Sequence, residues 1–343
     1  MMRVNSTRGL QVIPISRQLG WTIIELMVAM TLGLFIVLTV TGLLLSSKTA
    51  YIVQDQSAHV QETGRYAMEI LSRAIRQAGY ENWSSEWMPA LVTADFSPNV
   101  MGMDAMTLKK TTAGLDTPVA TSSDVVNGSD ILALRFFGDG DAVLNCAGLI
   151  VPAATSYADA EQERGWSIFF VAKDSAGEPE LRCKYRSKTS WNADAIARGV
   201  ESFQVLYGID VDGDGLPDRF INASAVDDLD DGLLLTGANA VARAADKNRK
   251  TYWKRVRSIK FALLIRGSQI ARDDALIAEH DLFGVEYANM HAASDKGVRI
   301  KEDALPSAMR NRIRKVFTQT IQLRNDAAAV SYTHLRAHET LRY

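Results

Sequence analysis

An excess of charge of either sign is what this 343-residue sequence lacks most plainly: Lys+Arg number 38 against Asp+Glu 40, a formal net charge of -2. No overall basic field therefore marks nucleic acid as a partner. Histidine is scarce, and none of the five sits in a Ser-His-Asp or metal-ligand context that its surroundings support. Neither a phosphate-binding glycine loop nor a serine elbow is present, so an enzymatic reading has no nucleophile or base to name. Cysteine is limited to Cys146 and Cys183, too few for a structural zinc site with no histidine nearby. Internal repeats are also missing. What remains is 47% hydrophobic and 23% charged residues, the composition of a chain that folds around a core, long enough for one large domain or two ordinary ones.

The apolar residues are unevenly spread, which the mean hydropathy of -0.05 conceals. From Leu26 to Leu45 there is no charged residue and no proline. About 20 helical residues at 1.5 Å each span roughly 30 Å, the thickness of a bilayer core. Arg3, Arg8 and Arg17 precede this run with no acidic residue among them, which places the first residues in the cytoplasm and the bulk of the chain outside it. An ordinary cleaved signal has a shorter apolar stretch, followed by its cleavage site. Here a cleavage-like Gly20-Trp21 comes before the stretch. Glu25 lies one turn inside the span, where a carboxylate costs a few kcal/mol unless it finds a cation or reaches the headgroups.

Val53, Val60, Ala67, Leu71, Ala74, Ile75 and Ala78 continue a helical stripe, so one helix is expected from about Trp21 to Ala78. Gly79 is placed to cap it, Pro89 lies beyond, and Gly33, Gly42 and Gly64 are weak points inside it. After Tyr80 the pattern turns to short apolar runs between Gly, Asp, Asn and Pro. Ile131 to Phe137, Trp166 to Ala172, Leu181 to Tyr185, Phe203 to Ile209 and Ile259 to Ile265 are expected strands. In the fourth, the alternation of Phe203, Val205, Tyr207 and Ile209 predicts one buried and one wet face. Residues 223–248, rich in Asp, Ala and Gly, are expected to be a mobile insertion. The fold class is α+β, a long N-terminal helix with an antiparallel sheet over its second half.

The run Gly20-Trp21-Thr22-Ile23-Ile24-Glu25-Leu26 resembles the type IV prepilin signal, with Trp21 standing where Phe is usual. Gly128-Ser129-Asp130, Gly199-Val200-Glu201-Ser202-Phe203 and Arg312-Ile313-Arg314-Lys315-Val316-Phe317 through Leu323-Arg324-Asn325 make the rest similar to PilW-type minor pilins. The J-type pseudopilins of type II secretion are related. This resemblance implies a pilin-like fold and a leader, 1–20, removed by prepilin peptidase, with methylation of Trp21. A membrane and assembly helix over 21–46, its amphipathic continuation over 47–80 and a periplasmic domain over 81–326 follow. Glu25 would become the fifth mature residue and meet the N-terminal amine of the adjacent subunit. Implied partners are other minor and major pilins and an inner-membrane assembly platform. The subunit would wait in the inner membrane before entering the pilus at the cell surface. Alternative readings are a type II secretion pseudopilin and a membrane-anchored calcium-dependent adhesin.

Outside the cytoplasm thiols oxidise, so Cys146 and Cys183 are expected to form a disulfide, against the alternative of two buried thiols. Asp210, Asp212, Asp214, Leu216 and Asp218 follow the alternating oxygen-ligand pattern of a calcium loop, with Gly215 at the sixth position. Its twelfth position is Ile221 instead of a bidentate Glu, which leaves the last ligand to Asp227 or Asp228; the competing reading is a hairpin loop that binds nothing. Arg310, Arg312, Arg314 and Lys315 suggest an exposed helix face, against the alternative of a surface that touches DNA or acidic lipid. Residues 327–343, with His334 and His338, resemble translated sequencing-adapter sequence, and the natural chain is expected to diverge after about Asp326.

Overall fold

The computed structural model describes residues 20–81, 95–120, 124–156, 159–187, 189–272 and 277–325. The arginines of the leader, Pro89, and the tail with His334 and His338 lie outside the described residues. The elements are α1 (Ile23–Gln77), β1 (Val100–Met103), β2 (Ile131–Phe136), α2 (Ala160–Glu163), β3 (Gly165–Lys173), β4 (Pro179–Arg186) and β5 (Trp191–Arg198). They continue with β6 (Val200–Ile209), β7 (Arg219–Ile221), α3 (Ala223–Asp231), α4 (Ala240–Lys250), β8 (Val256–Ile270), β9 (Glu279–Asp281), α5 (Val285–His291), β10 (Arg299–Lys301) and β11 (Arg312–Gln322). Two units divide the chain between Tyr51 and Ile52.

In the first unit every residue from Gly20 to Tyr51 is exposed. The helix there is long and apolar enough to cross a membrane. Its threonines turn inward on the backbone: the hydroxyls of Thr31, Thr41 and Thr49 donate to the carbonyls of Val28, Val37 and Leu45 at 2.9, 2.7 and 3.0 Å. A hydroxyl satisfied in this way needs nothing from its surroundings, as a hydrocarbon environment requires. Gly33 and Gly42 do not interrupt the helix.

The second unit takes the rest of α1 into its core. Val60, Ala67, Leu71, Ala74 and Ile75 are buried as the stripe predicts, whereas Val53 remains 38% exposed. Three buried positions break the apolar rule, each for a local reason. Gln56 Oε1 accepts from the Gln269 N–H at 3.1 Å, and Ser72 Oγ donates to Gln319 Oε1 at 2.8 Å. Gly64 makes room for the Phe317 ring, which a Cβ at that position would enter. The helix ends at Gly79 with φ +71°, and Asn325 Nδ2 donates to the freed carbonyl of Arg76 at 3.0 Å.

All strand ladders are antiparallel, in sheets ordered β1-β2-β3-β4-β5, β11-β8-β6-β7 and β10-β9. The two larger sheets and α1 share one core that includes Leu132, Phe169, Leu181, Phe203, Phe261 and Leu71. The five expected strands are present; β2 stops one residue early at Phe136, and β8 runs for 15 residues where Ile259 to Ile265 were expected. The predicted wet face of β6 is a correction: all ten residues from Val200 to Ile209 are buried. Its second face is covered because Gln204 Nε2 donates to the Gly128 carbonyl at 2.7 Å and Ser202 Oγ to that of Gly297 at 3.4 Å. Beside it, Ala262 and Leu264 of β8 pack with Leu282, Ile300 and Leu305.

Two further expectations are overturned. Residues 223–248 hold α3 and most of α4, whose first turns are capped by Asn222 (from Ala225 N–H, 3.1 Å) and Asn239 (from Ala242 N–H, 2.8 Å). The segment is docked through α3: Val226 is fully buried, and buried Asp230 accepts from the Thr251 hydroxyl at 2.5 Å and the Tyr252 N–H at 2.7 Å. The basic cluster is no exposed helix face, since Arg312, Arg314 and Lys315 open β11, in register with Ile270, Arg266 and Ile265 of β8.

Candidate functional site

Three features carry candidate functional residues: the start of α1, the Asp210–Asp218 loop, and the cysteine pair. At the start of α1, Gly20 has no neighbour within 4 Å of where a Cβ would sit, and Trp21 is 76% exposed. Glu25 lies in the first helical turn. Its backbone N–H donates to Thr22 Oγ1 at 3.3 Å, so Thr22 caps the helix, and Thr22-Ile23-Ile24-Glu25 has the spacing of a capping box. This signal is readable in the sequence. It gives Glu25 a local role, since an acid in the first turn is favoured by the helix dipole. Beyond it, Leu26, Phe35, Ile36, Leu38 and Leu43 are each more than half exposed. Apolar surface that continuous marks a lipid or protein contact.

The acidic loop joins β6 to β7, which pair through Gly208↔Phe220 and Ile209↔Arg219. Asp210 is its hub. Its Oδ1 accepts from the Gly213 N–H at 2.6 Å, while Oδ2 accepts from Gly215 N–H at 3.0 Å and Arg257 Nε at 2.9 Å. Burial pushes the Asp210 carboxyl up, yet these three donors outweigh it and hold the group below the usual aspartate range. Positive φ values of +85° at Gly213 and +87° at Gly215 let the chain turn tightly enough to point both N–H groups inward. Asp218 Oδ2 closes the loop by accepting from Val211 N–H at 2.6 Å.

Asp210, Asp212 and Asp218 each offer a carboxylate oxygen within 4.8 Å of the other two. Asp214 stands outside that group, because its Oδ1 turns to the Leu216 N–H at 2.7 Å. Neither Asp227 nor Asp228 joins it. Asp227 is on α3, where its Oδ1 accepts from Trp253 Nε1 at 2.9 Å. Three carboxylates could thus ligate one hard cation, with the Arg257 guanidinium already partly neutralising them.

Cys146 and Cys183 are joined in a disulfide, with Cα atoms 5.9 Å apart across a separation of 37 residues. Cys183 is fully buried on β4, and the bond ties the loop before α2 to the strand next to the edge of the five-stranded sheet. A residue set with no local signal in the sequence lies around Glu201, where Arg266, Arg314 and Glu302 form a buried ionic chain that the partly exposed Arg272 extends.

Residues 168–325, from β3 through the strand that closes the fold, match the family model of the type IV pilus-assembly protein W. No curated protein matches the sequence. Among solved structures, a type IV-like pilin from Thermus thermophilus is similar at 12% identity and a TM-score of 0.34, over 79% of this chain and 98% of that one. An exposed apolar N-terminal helix thus stands ahead of a second unit in which residues 168–325 are similar to the family of the type IV pilus-assembly protein W.

Proposed function

We propose that this chain is a minor pilin that takes part in starting and assembling a type IV pilus, and through it in adhesion and twitching motility. One observation carries the reading: a helix exposed over its whole apolar length, with a single acid at its start, precedes a domain that matches the PilW family. In this reading prepilin peptidase cuts between Gly20 and Trp21 and methylates the new end. The 21–46 segment then holds the subunit in the inner membrane, with the second unit in the periplasm, until the assembly platform extracts it among other minor and major pilins. The driving chemistry is burial: lipid-facing side chains exchange lipid for the apolar faces of neighbouring helices.

Glu25 would then pair with the terminal amine of an adjacent subunit, since a carboxylate at that depth needs a cation. Glu25→Leu is expected to insert into the membrane normally and to be absent from sheared pili by immunoblot. Incorporation equal to wild type would remove this role and leave Glu25 as a helix-capping residue. The function as a whole is tested by a deletion strain scored together for surface pili and exoprotein secretion. Loss of pili with secretion intact supports the proposal; the opposite pattern identifies a type II secretion pseudopilin.

The converging oxygens of Asp210, Asp212 and Asp218 support a second, local proposal, calcium binding by the β6–β7 loop. With Arg257 paired to Asp210 and no bidentate glutamate at the loop's end, the dissociation constant is expected to be weak, about 10⁻⁴ to 10⁻³ M. Calorimetry on the detergent-solubilised chain should show calcium heat that Asp212→Asn abolishes and Asp214→Asn leaves in place. No heat in the wild type would assign the loop to hairpin closure alone.

A further inference from the structure

We infer that Asp104, Asp130 and Asp295 form a proton-operated latch that holds the segment from α5 to β10 against the edge of β6. The placement follows from the strand order. β7 covers that edge only over Tyr207–Ile209. Further along, the edge is closed by residue 130, whose N–H donates to the Phe203 carbonyl at 2.8 Å and whose Oδ2 accepts from the Val205 N–H at 2.9 Å. Asp130 Oδ1 accepts from the Ala105 N–H at 3.0 Å, which brings Asp104 alongside. Asp104 in turn accepts from the first N–H groups of α3, Ala223 at 3.0 Å and Ser224 at 2.7 Å.

The third carboxylate arrives on the segment after α5. Gly128 and Gly297, both with positive φ, let two backbones cross in contact. A Cβ on Gly128 would sit 2.9 Å from the Lys296 carbonyl, and one on Gly297 would sit 2.6 Å from that of Asn127. Asp295 is thereby held beside Asp130, 2% exposed. Its N–H donates to the His291 carbonyl at 2.7 Å, and its Oδ2 accepts from the Tyr287 hydroxyl at 2.9 Å. Oδ1 has no hydrogen-bond partner.

The groups facing Asp295 are Tyr287 and His291 from α5, Asn222 ahead of α3, and Asp104 and Asp130 from the two loops. Among the described residues no lysine or arginine forms an ion pair with any of the three carboxylates. Three acids packed together without a cation cannot all ionise cheaply, so a bound proton is the natural counterion. Burial first, and then the Asp104 charge, lift Asp295 to about 6 despite the hydrogen bond from Tyr287 and the nearby Asn222 amide. Burial likewise pushes Asp130 well above the usual range. Because the folded value is raised, the stabilisation is fully present below the ordinary aspartate value near 4 and is lost as pH rises through about 6.

The segment under this control is lightly anchored. Val285 is 61% and Met290 70% exposed, and Ala288 is the buried residue of α5. Ionisation of Asp295 should therefore loosen residues 285–298 before it affects the strands.

Amide hydrogen exchange on the detergent-solubilised chain, corrected for the intrinsic pH dependence of exchange, tests this directly. Protection of residues 285–298 should be about tenfold greater at pH 5 than at pH 7.5, the ratio that a rise from near 4 to about 6 produces over this interval. Asp295→Asn should give high protection at both pH values, and His291→Gln should keep the wild-type response. Equal protection at the two pH values in the wild type would overturn the latch, as would a response that survives Asp295→Asn or disappears in His291→Gln. Full protection restored at pH 7.5 by calcium or magnesium alone would overturn it too, because the cluster would then hold a metal ion in place of a proton.

Discussion

Glu201→Ala should lower the unfolding free energy of the second unit by about 3 to 5 kcal/mol, the range for removing one partner of a buried ion pair. Glu201 lies between two guanidinium groups, Arg266 Nε at 3.0 Å and Arg314 Nε at 2.6 Å, with all three side chains at most 4% exposed. Arg314 also reaches Glu302 at 2.9 Å, Glu302 reaches Arg272 at 3.3 Å, and Arg266 pairs outward with Glu178. Three acids and three arginines are thus linked across β6, β8, β11 and the turn after β10. Taking out the central carboxylate leaves two buried cations sharing what remains. A urea titration followed by tryptophan fluorescence should show a lower midpoint with an unchanged slope.

Glu201→Met combined with Arg314→Met should cost clearly less than Glu201→Ala, since an apolar replacement for a buried pair strands fewer charges. A single substitution with no effect on the midpoint would show that the network is not a source of stability. Acid should imitate the loss. Burial pushes Glu302 up, but the Asn311 N–H and the Arg272 and Arg314 charges outweigh it and hold the carboxyl below the usual glutamate range. A depressed folded value gives stability that is present above the ordinary glutamate value and disappears as pH falls through the folded one. The network and the Asp295 cluster therefore respond to acid in opposite directions.

Replacing both cysteines by alanine should cost about 3 to 4 kcal/mol in the chain-entropy model for a loop of this length. Alanine is the informative choice, because Cys183 is fully buried and a serine hydroxyl there would add its own desolvation cost. Reductant applied to the wild type should reproduce the loss, and should leave the double variant unaffected. A double variant as stable as the oxidised wild type would show that the sheet holds the 143–151 loop without the cross-link.

Legibility in the sequence followed the physics of each segment. The first helix was readable because an uninterrupted apolar run has few other uses, and its buried stripe because Val60, Ala67, Leu71 and Ile75 repeat at helical spacing. The five strands with continuous branched or aromatic residues were readable too. β5 was not, because Trp191-Asn192-Ala193-Asp194-Ala195-Ile196-Ala197-Arg198 is poor in strand-forming types and stays in place as the partner of β4. The wet face assigned to β6 failed for a related reason. Alternation reports one packed face and says nothing of what a distant loop lays over the other, here residues 127–128 and 297.

Charge misled in two places. Arg314 suggested an exposed surface because its partners, Glu201 and Glu302, are far away in sequence or around a turn. Asp227 and Asp230 suggested a solvated insertion, although their acceptors serve Trp253 and Tyr252. In the acidic loop the glycines and aspartates were placed correctly as a tight turn. Which oxygens converge depended on the Arg257 pairing, and the sequence pattern contains no sign of it.

The shared use of α1 sets where the protein can be cut. A protease acting before Ile52 would leave Gln56, Val60, Ala67, Leu71 and Ile75 attached to the sheets and release a folded, water-compatible fragment. A cut after Gln77 would strip those side chains from the interior and expose the leucine and phenylalanine surfaces they cover. Cleavage before Ile52 would therefore preserve the fold of the second unit, while cleavage after Gln77 would destroy it.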